Sequence, residues 1–233
     1  ESRLNMAYSF ELLNENFTVT YIRETIEKLE QQIGDGWPCW ALGNHDVARV
    51  LTRWGKHDAS DNLAKTLTAM VCSLRGSVCL YQGEELGLTE AELSFEQLQD
   101  PYGIEFWPKF KGRDGCRTPM PWQKSVENGG FSTANSWLPV VDEHHARAVD
   151  VQHQCDYSIL NVFRQFMGWR KQQPALIYGD ISFIDLGQDV LAFVRHYQDD
   201  KILCAFIRAK KPSIIIRISF NHFISPLIFI RST

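Results

Sequence analysis

Asn44-His45-Asp46 sets an imidazole beside a carboxylate, with Arg49 three residues further on. Such a pair can hydrogen-bond the hydroxyls of a ligand, cap a following helix, or satisfy buried polar groups. A metal-bound His-Asp pair of the phosphohydrolase kind would need helical surroundings and a second His and Asp set, and a strand precedes this one. Glu84-Glu85 also suggests paired carboxylates, but neighbours on a strand point to opposite faces, so they read as residues that orient a loop. Arg117 follows Asp114 by three positions, and its plainest use is a surface ion pair. Glu143-His144-His145 has metal-ligating residue types without a third ligand at helical spacing, and reads as a solvated loop.

The elements that must carry these residues follow from periodicity. Ile22, Ile26, Leu29 and Ile33 recur at helical spacing before Gly34, which predicts a helix over 20–33. Asn5 to Leu13 holds a short strand. Trp37 to Gly43 is nearly all apolar and too short for a helix, as expected of a strand buried on both faces, and Asn44-His45-Asp46 follows at its end. Ser60 caps a second helix bearing Leu63, Leu67, Met70, Val71 and Leu74, and Val78 to Tyr81 is another strand. Strand, helix, strand, helix, strand is the order of a parallel α/β sheet. Periodicity fades over the long loop 87–151, an insertion of a length that usually serves function. Helical spacing returns at 159–170 with Pro174 beyond it. Ile181–Ile184, Val190–His196 and Ile202–Phe206 then alternate with turn residues as a small antiparallel β domain.

Composition narrows the partners. A net charge of -4 and a pI near 6.0 give no positive field for a phosphate backbone, so no nucleic-acid partner is expected. Residues 214–230 are the most apolar stretch, but Arg217, Asn221, His222 and Pro226 interrupt it. It reads as buried strands, and no membrane partner is expected. Six cysteines show no CxxC pair and no zinc spacing, and most sit in apolar runs. They point to a reducing compartment: a cytoplasmic location is expected, with the periplasm as the alternative. The first residue is Glu1, so a missing signal peptide carries no information.

Four segments in this order resemble glycoside hydrolase family 13, and within it the α-glucosidases and oligo-1,6-glucosidases. Trp40-Ala41-Leu42-Gly43-Asn44-His45-Asp46 with Arg49 is similar to that family's strand-seven motif, and VCLYQGEELG at 78–87 to its strand eight. DPYGIEFW at 100–107 and GRDGCRTPMPW at 112–122 are similar to the loop that follows. The tripeptide alone is a weak match, whereas four segments over about half the chain are specific. The resemblance implies an α/β fold, the C-terminal part of a (β/α)8 TIM barrel over 1–174 followed by a β domain over 175–233. The sequence departs from the family pattern after Phe206, so a truncated or altered C-terminus is one alternative and no family feature is carried onto 207–233.

The resemblance further implies a retaining α-glucosidase acting on maltose, isomaltose or other short α-glucosides, with no cofactor and no metal. Asp46 would be the carboxylate that stabilises the transition state, and His45, Arg117 and Arg49 would bind substrate; for Arg49, bracing Asp46 is an equal alternative. A charge-assisted hydrogen bond to a sugar hydroxyl can tighten as the ring distorts. The nucleophilic Asp and the general-acid Glu of the family belong to strands four and five, which this reading puts upstream of Glu1. The chain alone is therefore expected to be inactive. A transglucosylase of the same family is the nearest rival, and a non-catalytic relative like a transporter heavy chain is a rival of another class. Among aromatics, Trp54, Tyr102, Phe106, Trp107 and Trp122 offer flat faces for sugar, though most are expected to pack the loop.

Overall fold

The computed structural model describes residues 5–56 and 58–207, and the backbone of strands at 213–220, 223–224 and 228–229. It divides into two compact units: Glu1–Ala41 with Lys65–Cys79 and Arg164–Thr233, and Leu42–Ala64 with Leu80–Phe163.

The first unit holds two sheets. Strands β1 (Met6–Ser9), β2 (Trp37–Trp40) and β3 (Ser77–Val78) lie parallel in that order, with Tyr8 opposite Cys39 and Cys39 opposite Ser77. Parallel neighbours need long crossovers, and helix α1 (Val19–Ile33) makes the first. The Thr18 hydroxyl caps it by accepting from the Tyr21 amide at 3.2 Å, and Val19, Ile22 and Ile26 are buried. Trp40 is fully buried, and its indole N–H finds the Arg75 carbonyl at 2.7 Å. Gly76 has φ +124°, and a Cβ there would stand 2.6 Å from the Pro38 carbonyl oxygen, so only glycine lets β3 start so close to β2.

The chain between β2 and β3 adds helix α2 (Val50–Gly55), which periodicity did not predict, and α3 (Asp61–Ser73), whose first turn Ser60 caps as expected. β3 is only two residues long, so Glu84 and Glu85 do not lie on a strand. They occupy a 3-10 turn at Glu84–Leu86, which corrects the opposite-face argument made for them.

Helix α7 (Ile159–Arg170) and α8 (Pro174–Tyr178), with Pro174 in its first turn, lead to the second sheet. Strands β4 (Asp180–Asp185), β5 (Val190–Tyr197), β6 (Asp200–Ile207), β7 (Ser213–Phe220) and β8 (Phe223–Ile224) follow one another antiparallel, and β9 (Ile228–Phe229) pairs with β7. Phe193 and Phe206 pack at 5.9 Å in its core. The expectation of strands over 214–230 thus has backbone counterparts, while their side-chain burial lies outside the described residues. The arrangement is part of a parallel α/β barrel followed by an antiparallel β sheet, and among the described residues no helix is long and apolar enough to cross a membrane.

The second unit joins Leu42–Ala64 to the long loop of the sequence, which is built of short pieces. Between Gly87 and His153 it forms α4 (Pro101–Glu105), α5 (Asp142–Ala146) and α6 (Val149–His153). Two small apolar clusters hold it: Leu86, Leu88, Met120 and Leu160, and Ala91, Leu93, Leu98 and Leu138 with Trp107 against them.

Candidate active site

The site begins where the chain leaves β2. Asn44 folds the turn by accepting the Asp46 amide at 2.9 Å on its side-chain oxygen, which turns His45 and Asp46 outward to solvent. His45 Nε2 lies 3.3 Å from Asp46 Oδ2. The other oxygen, Asp46 Oδ1, accepts from two guanidiniums, Arg113 Nη1 and Arg117 Nη2, each at 3.1 Å. Arg117 also donates through Nε to the His45 carbonyl at 2.8 Å. One arginine thus holds both the backbone and the carboxylate of the same turn, as a planar fork of donors allows.

Arg113 is anchored from behind. Its Nε and Nη2 reach the two oxygens of Asp100 at 2.8 and 3.1 Å, and its amide donates to Asp100 Oδ2 at 2.9 Å. Asp100 is buried, and it also caps α4 through the Tyr102 amide at 3.2 Å. Hydrogen bonding to Arg113 holds its carboxyl down at about 2 against the cost of burial. Asp114, fully buried, ties the same loop by accepting the amides of Gln99 and Asp100 at 2.6 and 2.7 Å.

Of the residues expected from sequence, His45, Asp46 and Arg117 meet in one cluster. Arg49 does not join them. It is buried, donates to the Gln82 carbonyl at 2.8 Å, and lies over the Tyr81 ring at 5.4 Å, while its amide donates to Glu90. Burial lowers its pKa, opposed by Tyr81, Cys116, Glu90 and Glu84. Nor does Arg117 pair with the Asp114 carboxylate; the two share only a backbone hydrogen bond at 2.9 Å. Of the aromatics, Trp54 is buried and Trp107 packs on a core cluster, whereas Tyr102, Phe106 and Trp122 are exposed.

Arg113 escaped sequence reasoning, and two residues that it did weigh, Glu84 and His144, have other surroundings than it gave them. Arg113 sits in the same motif as Arg117, four positions earlier. Glu84 lies beneath the site turn: Oε2 accepts the Tyr81 amide at 3.2 Å, and Oε1 is buried against Gly43, where a Cβ would come within 2.6 Å. Burial pushes its carboxyl up to about 7, offset in part by the Tyr81 amide, Arg49 and Arg53. His144 corrects the reading of Glu143-His144-His145 as a solvated loop: the segment is helix α5, and His144 is fully buried. Among the described residues, no group of three His, Cys, Asp or Glu is placed to hold a metal.

Comparison with known proteins adds to this geometry. A family model described as the α-amylase catalytic domain matches residues 2–179. The protein named "Probable alpha-glucosidase" of Rhizobium meliloti (strain 1021) is 47% identical over 209 residues, 88% of this chain and 37% of its own length. An oligo-1,6-glucosidase of Parageobacillus thermoglucosidasius is 27% identical over 214 residues, 78% of this chain and 38% of its own. The crystal structure of the α-glucosyl transfer enzyme XgtA superposes with a TM-score of 0.85 at 53% identity, covering 89% of this chain and 38% of that one. The chain therefore spans well under half the length of the relatives it matches.

Proposed function

This chain belongs to the α-amylase family, glycoside hydrolase family 13, and we propose that it is the C-terminal part of a retaining α-glucosidase acting on short α-linked glucosides such as maltose and isomaltose. The observation that supports this most is Asp46 held on one oxygen by Arg113 and Arg117 at the C-terminal end of a parallel strand. In barrels of this kind, side chains at those strand ends meet the substrate. Asp46 and His45 would take the hydroxyls of the glucosyl ring at the cleaved bond, with Arg117 orienting the carboxylate. Hydrogen bonds that strengthen as the ring flattens toward an oxocarbenium ion lower the barrier rather than only tightening binding.

The nucleophile and the general acid would come from strands upstream of this chain, and carboxylates suffice for both roles without a metal or cofactor. Arg49 we assign to bracing the turn through Gln82 and Glu90 rather than to touching sugar. Residues 1–174 would belong to the barrel and 175–233 to the domain that follows it. A cytoplasmic site is the reading that the cysteine pattern favours, with no CxxC pair and most cysteines set in apolar runs.

The test is proton NMR of the complete protein with p-nitrophenyl α-glucoside. Glucose should appear first as the α-anomer; initial β-anomer would reject a retaining mechanism. Transglucosylation is a second reading, favoured by the 53% identity to an α-glucosyl transfer enzyme. Oligosaccharide products at high maltose would support it, and glucose alone would not.

A further inference from the structure

His144 lies on α5, away from the sugar-facing cluster in sequence, yet it touches the segment that carries Arg117. Its Nε2 is 2.9 Å from the Thr89 carbonyl oxygen, which can only accept, so Nε2 bears the proton. Its Nδ1 is 3.2 Å from the Thr118 hydroxyl. A neutral ring protonated at Nε2 has a free lone pair at Nδ1, so the hydroxyl donates to it. One neutral tautomer therefore satisfies both contacts; a doubly protonated ring could also donate to both oxygens, but it would place a charge in a fully buried position where both partners are neutral.

Thr118 directly follows Arg117, is itself buried, and has no freedom to follow solvent. Thr89 belongs to the other wall of the unit: the Glu90 carboxylate beside it accepts the Arg49 amide, and the Ala91 amide donates to Gly115 at 3.1 Å. The imidazole is thus a crosspiece between the 87–91 segment and the 114–120 segment. Without it, the Thr89 carbonyl and the Thr118 hydroxyl lose a hydrogen bond in a buried place, and the segment that carries Arg117 loses a tie one residue away from it.

We propose that His144 is a positioning residue that must stay neutral, and that it sets the register of Arg117 against Asp46 and the His45 carbonyl. The inference rests on the α-glucosidase reading of that cluster. The charged groups around the ring agree with it. Burial is the main cause of a pKa lowered to about 4, and Arg49 and Arg147 lower it further, while the Thr89 carbonyl and Glu143 oppose. Arg117 adjoins Thr118 and Glu90 adjoins Thr89, the two partners of the ring.

A double-mutant cycle in the complete protein tests the proposal, with p-nitrophenyl α-glucoside as the probe. His144→Phe fills the volume without either hydrogen bond, and kcat should fall about tenfold as Arg117 loses its register. His144→Gln offers one donor and one acceptor and should restore kcat to within about threefold. In an Arg117→Ala background the same His144→Phe change should cost less than about twofold, because the residue it positions is gone. An equal loss in both backgrounds, or a Gln variant no better than Phe, would overturn the proposal. If His144→Phe fails to fold, Thr118→Val takes its place with the same expected loss and the same dependence on Arg117. Nitrogen-15 NMR of the ring keeps this claim apart from the functional reading. The Nε2-protonated neutral tautomer should persist from pH 7 down to about 5; a doubly protonated ring at pH 6 would overturn the neutral crosspiece whatever the enzyme hydrolyses.

Discussion

Two guanidiniums on one carboxylate oxygen fix the direction in which Asp46 can meet a ligand, and each is itself held, that of Arg113 by Asp100 behind it and that of Arg117 by the His45 carbonyl. Preorganisation of this sort matters because the reacting group then has little left to rearrange. Glu84, under the same turn, gives a prediction about pH. Its folded pKa, about 7, is above the ordinary 4.5, so the folded state binds more protons than the unfolded state between these values. Stability from this group is fully present below 4.5 and is lost as pH rises through 7. Glu84→Gln in the complete protein should therefore melt with less pH dependence between pH 5 and 8 than the parent; parallel melting curves would contradict the burial argument. At this scale the sequence singled out His45 and Asp46, in a motif that follows β2, and Arg117, in a motif of the long loop. It hid the roles of Arg113 and His144, which depend on Asp100 and Thr89, partners separated from them by 13 and 55 positions.

Elements were legible where a face is apolar at a regular period, as in α1, α3 and β4 to β6. They were not legible where tertiary contacts replace periodicity, as in α2 and the short helices of the loop. Arg195 shows why. It lies mid-strand in β5, fully buried, and nothing in the flanking Val194 and His196 marks it. Its guanidinium donates to the carbonyls of Ser73 and Leu74 at 2.7 Å, at the end of α3, and to Gly179 and Asp180 at 2.8 and 3.2 Å. Burial lowers its pKa to about 10, which leaves it charged at neutral pH. One side chain therefore satisfies carbonyls that the last turn of a helix leaves open. Arg195→Leu should cost at least about 3 kcal/mol, since each buried acceptor left without a partner costs about 1–3 kcal/mol. Urea unfolding would measure it, and a loss under about 1 kcal/mol would show that the carbonyls find other donors.

On the scale of the molecule, the parallel sheet has three strands, and β1 and β3 each pair with β2 alone among the described residues. A closed barrel of this type uses eight strands, about 250 residues. Open strand edges recruit other chains. Expressed alone, this 233-residue chain should associate in light scattering and show no turnover of p-nitrophenyl α-glucoside. Turnover by a purified monomer would mean that the bond-breaking carboxylates lie within these residues. The motif order at 40–49, 78–87, 100–107 and 112–122 made the barrel readable, whereas the division into two compact units was not, because it follows packing rather than chain order. The central claim is that Asp46 stabilises the transition state of α-glucoside cleavage, and kcat of Asp46→Asn in the complete protein tests it most directly. The substitution keeps the shape and removes the charge, so turnover should fall at least about a hundredfold with an unchanged melting temperature; turnover within about threefold of the parent would contradict the claim.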